Sequence, residues 1–357
     1  MLVDEKSGDV LAEREADTAR PIASATKLMT AFIVLRDLEL SDEVTAPEYA
    51  AAAGESLMGL RAGEVVTVRD LLYGLLIASG NDAAAALALR VSGSIPDFVA
   101  EMNRTARRLG LSETAYADPI GLDGGNVSSA RDLASLAIRL RQEPLFRKIV
   151  DTPRITVGAG EDEHSLVNRN TLVLDVPFVD GVKTGTTLAA GYVLVASGQR
   201  RGVELVSAVL GAPGEAERDA ASLELLDYGF SLYEKRTLVA RGERIGAVTL
   251  SEDRGPLPLV AAAPVTAIAR ADQRVDLEYR RPAPPAGAVS RGQEFGVATV
   301  TLDGEEVGEV AVVAGRTVAA PPETGLPSWA WGVFAGAGVI ALGLATTAVV
   351  VARRPPR

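Results

Sequence analysis

The chain has 357 residues, one histidine and no cysteine, with 36 Lys and Arg against 47 Asp and Glu for a net charge of −11. Those counts exclude a disulfide framework, a Cys-based zinc or iron–sulfur site, a cysteine nucleophile and a zinc site built from several histidines. The acidic balance leaves no basic face for phosphates and argues against nucleic-acid binding. At about 150 residues per domain, the length suggests two domains, or one large domain with an appendage.

Residues 1–20 read as a hairpin of two short strands, with Met1-Leu2-Val3 inside the first strand and Lys6-Ser7-Gly8 at its turn. Pro21 precedes a helical stretch, 24–38, with apolar positions at Leu28, Phe32 and Leu35. Residues 41–65 are mixed and punctuated by Gly54, Gly59 and Gly63. Helices follow over 68–78, ending at Ser79-Gly80-Asn81, and over 82–91, 95–109 and 129–140. Pro96 near the start of the third and Arg107-Arg108 near its end suit the helix dipole. Residues 121–126 form a glycine-rich loop.

From about residue 150 the pattern turns to strands. Residues 154–157 alternate, and 191–197 with 203–210 flank a turn over 198–202. One more helix spans 216–230. A helical block bracketed by antiparallel strands from both ends predicts an α+β domain over 1–235. From 237 to 318 no helix is legible. Alternating runs at 245–250, 275–279, 296–302 and 307–313 predict a small all-β domain, 236–318.

The end of the chain is different. Residues 319–328 read as a Pro-rich tether, in which Pro321-Pro322-Glu323-Thr324-Gly325 resembles a sortase signal except that Pro321 stands in place of leucine. Residues 329–351 carry no charge, and roughly 23 residues are long enough to cross a hydrocarbon core of about 30 Å as a helix. Trp329 and Trp331 lie at one edge, and Arg353, Arg354 and Arg357 fill a basic tail, 352–357. The positive-inside rule puts that tail in the cytoplasm and the body outside, on a single-pass membrane protein. An exported body needs a leader, whereas the chain opens on the polar MLVDEKSGD. The expectation is that the signal peptide is missing from this chain.

Three short motifs carry chemistry. Ser24-Ala25-Thr26-Lys27 opens a helix, and a spacing of three places both side chains on one face, so the amine reaches the hydroxyl. A serine hydroxyl needs a base, and a lysine of lowered pKa is the natural one in a chain with a single histidine. That histidine, His164, lies in the polar run Glu161-Asp162-Glu163-His164-Ser165 without a nucleophile elbow, and reads as a loop residue. In Ser79-Gly80-Asn81 a hydroxyl is available to relay a proton, and an amide to hold a carbonyl or orient Lys27. In Lys183-Thr184-Gly185-Thr186-Thr187, placed on an edge strand, Gly185 lets a peptide backbone lie close, while Lys183 and the hydroxyls of Thr184 and Thr186 suit a carboxylate. Each motif alone is an ordinary cap or turn. Their order, Ser-x-x-Lys, Ser-x-Asn, Lys-Thr-Gly, is the signature of the penicillin-recognising serine enzymes.

Longer stretches narrow the match: residues 21–31, 76–83, Gly121-Leu122-Asp123, Asn168-Arg169-Asn170 and 179–187. Over roughly 1–235 the chain resembles the low-molecular-mass penicillin-binding proteins, D-alanyl-D-alanine carboxypeptidases of the penicillin-binding protein 5 type (peptidase family S11). Residues 291–313 resemble that family's C-terminal β domain. The resemblance implies a serine β-lactamase/transpeptidase-like fold, an antiparallel sheet with a helical lobe. It implies that Ser24 forms the acyl-enzyme, Lys27 is its base and Ser79 relays a proton. Asn81 positions Lys27 and substrate, Lys183 with Thr184, Gly185 and Thr186 receives the terminal carboxylate, and the backbone N–H groups of Ser24 and Thr186 make the oxyanion hole. Residues 55–58 border the groove by position. The implied substrate is a peptidoglycan stem pentapeptide, with β-lactams as covalent inhibitors and neither cofactor nor metal. A serine β-lactamase is the nearest rival, but no Glu-x-x-x-Asn pairing stands well before Lys183, since Glu163 is five residues from Asn168. D,D-endopeptidase activity stays open. An inactive surface-binding protein would be expected to have lost Ser24, Lys27 or Lys183, and all three are present.

Overall fold

A computed structural model of the chain describes residues 1–250, 254–280 and 282–320. The described residues divide into two compact units: Met1–Lys235 with Ile268–Asp272, and Arg236–Ala267 with 273–320. Most of the tether, the uncharged run and the basic tail lie outside the described residues.

The first unit opens with β1 (Leu2–Asp4) and β2 (Val10–Ala12), the hairpin expected from the sequence. After β3 (Arg20–Pro21) a single 3-10 turn, Ala23–Thr26, leads into α1 (Lys27–Asp37). The buried face of α1 is wider than the expected stripe: Leu28, Met29, Ala31, Ile33 and Val34 are fully buried, and Phe32 and Leu35 sit at its margin. A ribbon of β4 (Glu43–Thr45) and β5 (Val65–Thr67) precedes α2 (Val68–Leu76), whose start is capped by the Thr67 hydroxyl accepting from Asp70 N–H. Then come α3 (Asn81–Ser92), α4 (Ile95–Leu109), β6 (Val127–Ser128), α5 (Ala130–Arg141) and α6 (Pro144–Val150). Ser94 and Ser129 cap α4 and α5, and Gly93 and Gly110 end α3 and α4 in left-handed conformation.

A second ribbon, β7 (Arg154–Val157) with β8 (His164–Val167), precedes α7 (Thr171–Asp175). Three long strands follow: β9 (Val179–Thr187), β10 (Gly191–Arg200) and β11 (Val203–Ala212). The expected turn over 198–202 shrinks to Arg201-Gly202, because both residues take positive φ (53° and 81°) and a two-residue turn of that hand continues the strand twist. The helix α8 (Glu215–Ser231) closes the unit.

The five strands order as β2-β1-β11-β10-β9, all antiparallel neighbours, with β9 at an edge as the Lys-Thr-Gly reading expects. β10 explains its own sequence. Val193 and Val195 join the core under the helices, while Leu194 and Ala196 join a second core with Leu226 and Phe230 of α8. A strand buried on both faces is apolar throughout rather than alternating. Each buried Val or Leu among them contributes roughly 1.5–3 kcal/mol.

The second unit is β-rich, as expected. After a ribbon of β12 (Tyr233–Val239) with β15 (Val265–Arg270), it holds β13 (Arg244–Thr249), β14 (Pro256–Ala261), β16 (Val275–Glu278), β17 (Glu294–Leu302) and β18 (Glu305–Ala314), ordered β13-β14-β18-β17-β16. β14 and β15 escaped the sequence reading: Pro256 and Pro258 mask the first, and the second alternates small residues.

Candidate active site

Ser24 is the partly exposed residue in a run of buried ones, Ile22 to Met29. Its segment is tied down on one side by Pro21 pairing with Val127 and by Ile22 N–H donating to Asn126 O at 3.2 Å. Ala23 takes φ +47°, rare for a residue with a Cβ, and turns the chain into the 3-10 turn that presents Ser24.

Lys27 is fully buried. Its Nζ lies 3.0 Å from Ser24 Oγ, 2.7 Å from Asn81 Oδ1 and 2.7 Å from Ile120 O. Burial pulls its pKa from 10.5 down to about 7, against the opposing charges of Asp118, Glu55 and Asp82. A neutral amine has two N–H donors and one lone pair. Asn81 Oδ1 and Ile120 O are both acceptors and occupy the two donors, which leaves the lone pair for the Ser24 O–H. In its neutral form an amine so placed can accept the hydroxyl proton.

Two carboxylates that the sequence reading did not single out hold these partners in place. Asp118 accepts from the N–H groups of Ile120, Gly121, Leu122 and Asp123, and so fixes the loop that carries the Ile120 carbonyl. Asp82, in the first turn of α3, accepts from Met58 and Gly59 N–H at 2.8 Å and from Leu60 N–H at 3.0 Å. That clamps the 55–60 segment beside Asn81. In sequence, both read as plain turn or cap residues; the only signal is an Asp next to a Gly-rich loop or a helix start.

Ser79 follows α2 in left-handed conformation, φ +61°, and this points its hydroxyl at Lys183 Nζ, 3.0 Å away. Lys183 also donates to Thr184 O at 2.9 Å. It is buried, and burial first, then the charges of Lys27, Arg169 and Arg218, hold its pKa well below the usual lysine range. Arg169 and Arg218 were not among the expected site residues; Arg169 lies in the Asn168-Arg169-Asn170 stretch, whereas no motif marks Arg218.

Gly185 is required for a reason other than substrate access alone. A Cβ there would lie 2.7 Å from Ile22 O and 3.0 Å from Ser24 N, so β9 packs directly on the nucleophile turn. Gly121 is tighter: at φ +94° its Cβ would lie 2.0 Å from Ala23 O. Both glycines let separate segments meet around Ser24.

Comparison with known proteins identifies the family. The D-alanyl-D-alanine carboxypeptidase (peptidase S11) family model matches residues 1–214, and that of the penicillin-binding protein 5 C-terminal domain matches 233–320. The D-alanyl-D-alanine carboxypeptidase DacF of Bacillus subtilis is 34% identical over 325 residues, 88% of this chain and 84% of the relative. The chain belongs to the S11 family of D-alanyl-D-alanine carboxypeptidases. DacC of Escherichia coli is 40% identical over 255 residues, 66% of this chain, and that alignment spans 62% of DacC. The solved structure of penicillin-binding protein 5 from Haemophilus influenzae superposes with a TM-score of 0.62 at 31% identity, covering 89% of this chain and 96% of that one. The family resemblance stated from the motifs is therefore borne out, and with it the α+β transpeptidase-like domain followed by a β-rich one.

In this carboxypeptidase the eight expected site residues are not one cluster. Ser24, Lys27 and Asn81 meet directly, and Ser79 meets Lys183. The pleat of β9 turns Lys183 and Gly185 toward Ser79 and Ser24, and so turns Thr184 and Thr186 to the opposite face. Thr184 pairs with Leu194, whose side chain packs in the core shared with α8, the helix that carries Arg218.

His164 is a correction. It is not a loop residue but the first residue of β8, largely buried, with Nε2 2.6 Å from Glu64 Oε1. A charged or polar partner offsets the cost of burying the ring. Its partner lies in the segment before β5, so the pair ties the β7–β8 ribbon to that segment.

Proposed function

We propose that the enzyme removes the terminal D-Ala of peptidoglycan stem pentapeptides through an acyl-enzyme on Ser24. The observation that carries this reading is the buried Lys27, its pKa drawn down to about 7, with Nζ 3.0 Å from Ser24 Oγ and held by Asn81 Oδ1 and Ile120 O.

In the proposed sequence Lys27 takes the Ser24 proton as Oγ attacks the carbonyl carbon of the penultimate D-Ala. The backbone N–H groups of Ser24 and Thr186 stabilise the oxyanion. As the C–N bond breaks, the leaving amine of the last D-Ala takes a proton relayed by Ser79 from Lys183, its 3.0 Å neighbour. Water then attacks the ester carbonyl and its proton passes through Ser79 back to Lys183; as the ester C–O bond breaks, Lys27 returns its proton to Ser24 Oγ and the shortened peptide leaves as the acid. The terminal carboxylate pairs with Lys183, on the face of β9 that meets Ser79. Arg169 and Arg218 add positive potential there. An arriving carboxylate favours the charged form of Lys183 and offsets the burial that neutralises it. Asn81 positions Lys27 and the substrate amide, and Gly185 admits the peptide backbone along the edge of β9.

The same chemistry makes β-lactams covalent inhibitors, since their strained amide acylates Ser24. The uncharged run 329–351 and the basic tail support a single-pass anchor with the catalytic unit outside the cytoplasm. The test is labelling of the full-length protein by a fluorescent penicillin, together with release of free D-Ala from diacetyl-Lys-D-Ala-D-Ala. Both are expected for the native chain and neither for Ser24→Ala. Label that persists on Ser24→Ala overturns the reading.

A further inference from the structure

The segment 48–60 contributes a carboxylate that neither the motifs nor the reaction sequence above uses. Glu55 Oε2 accepts from Asn81 Nδ2 at 2.8 Å and from Tyr49 O–H at 2.6 Å, while Oε1 accepts from Ala52 N–H at 2.8 Å. Glu55 thus faces the opposite end of the amide whose oxygen lies 2.7 Å from Lys27. Burial alone would raise its pKa, but the hydrogen bonds from Tyr49, Asn81 and Ala52 and the charge of Lys27 lower it overall, so it is ionised at neutral pH.

The orientation of Asn81 matters more once Lys27 is neutral. A charged ammonium is donor-only and would by itself force the amide oxygen toward it. A neutral amine offers a lone pair as well, so a flipped Asn81 could donate its NH2 to that lone pair. The flipped amide would then compete with the Ser24 O–H for the base. An ionised carboxylate is acceptor-only and holds the NH2 end, which removes the flipped state.

We propose that Glu55 is a positioning residue: fixed by Tyr49 and Ala52 N–H, its carboxylate locks the Asn81 amide with oxygen toward Lys27 and so reserves the Lys27 lone pair for Ser24. The proposal rests on the acyl-enzyme reading and deepens it by assigning an orientation role to a residue of the 55–58 border. Glu55 also acts on Lys27 as a charge. The groups that face Lys27 are Glu55, Asp82 and Asp118, which favour its protonation, and Lys183, which is repelled by it.

The experiment measures the second-order rate of fluorescent-penicillin acylation of the full-length protein against pH, for native, Glu55→Ala and Glu55→Gln chains. Glu55→Ala releases the amide and removes the charge, so the rate on the alkaline plateau falls by about tenfold or more. Its acid-side midpoint moves to lower pH by roughly half a unit or more, because a negative neighbour of Lys27 is gone. Glu55→Gln keeps an oxygen able to accept from Asn81 Nδ2. It is expected to lose less of the plateau rate and to show the same downward shift, and it serves where Glu55→Ala fails to fold. Native plateau rates with an unmoved midpoint overturn the proposal. So does a lowered rate with an unmoved midpoint, which marks a purely structural residue. Loss of labelling in Ser24→Ala with native behaviour in both Glu55 variants sinks this proposal alone and leaves the acyl-enzyme reading standing.

Discussion

Asn81 Oδ1 lies 2.7 Å from Lys27 Nζ, across a sequence separation of 54 residues. One residue opens α3 and the other opens α1, so the contact joins the start of two helices that pack against each other. It decides where the lysine lone pair points. Asn81→Asp would place a carboxylate there, favour protonated Lys27 and meet Glu55 with like charge. At pH 7 the expected result is acylation slowed by about tenfold or more, with the acid-side midpoint moved up. A rate–pH profile of penicillin labelling checks both.

The native profile follows from Lys27 itself. With a pKa of about 7, acylation is expected to rise about tenfold per pH unit below that value and to level off above it. Stability carries the same signature. Between about 7 and the ordinary lysine value of 10.5 the unfolded chain binds the proton that the folded chain does not. Unfolding free energy therefore rises with pH across that window. Lys27→Met is expected to lose all labelling and to show a smaller rise, Lys183 keeping its own share, in denaturant titrations run at pH 7 and pH 9.

Gly185→Ala tests the packing of β9 on the nucleophile turn. Its Cβ meets backbone atoms of Ile22 and Ser24, which cannot swing aside as a side chain does. A displacement of about 1 Å in the nucleophile costs on the order of a hundredfold in rate. The variant is expected to keep its circular dichroism spectrum and lose acylation by that factor; native acylation would mean that the turn tolerates the methyl.

At the far end of β9 a buried ionic network pins the same strand. Arg141, fully buried, is 2.7 Å from Glu5 and 3.0 Å from Asp180, and it donates to Ser197 Oγ at 2.7 Å. Burial pushes the Glu5 pKa up, against the charges of Arg141 and Arg147. Arg141→Ala leaves Glu5 buried with only Arg147 beside it, and the expected loss is about 3–5 kcal/mol by chemical denaturation.

The membrane assignment has its own test. A chain ended after residue 318 is expected in the soluble fraction of the host that holds the full-length protein in its membranes. Equal membrane retention of both would count against an anchor at 329–351.

Much of this protein was legible from the order of its residues. Hydrophobic period located the six helices of nine residues or more, and their ends are fixed as locally, since Ser94, Ser129, Gly93 and Gly110 act within a turn of the backbone they satisfy. The hairpin of β10 and β11 was legible for the same local reason, though its turn was drawn too long. The Ser24–Lys27 spacing is also local, three residues on one helical face, and so the nucleophile and its base were readable together. Short β14 and β15, and α6 and α7 of seven and five residues, were not, since two turns or less carry too little pattern.

By itself, then, the sequence determined the residue types, the local elements and the family, all of which depend on neighbours along the chain. Only the tertiary structure decided the electrical state of the site. Lys27 titrates near 7 because the fold buries it, not because of any residue beside it in sequence. Asp82 and Glu55 are ordinary acids in the sequence, and they became supports for the 55–60 segment and Asn81 when folding brought distant N–H groups onto them, while Asp118 shapes its own loop so that the Ile120 carbonyl reaches the distant Lys27. His164, read as a loop residue, is the first residue of β8, paired with Val157 and held beside a glutamate 100 positions away. Burial and long-range hydrogen bonds have no period along the chain, and that is the physical reason they could be seen only in three dimensions.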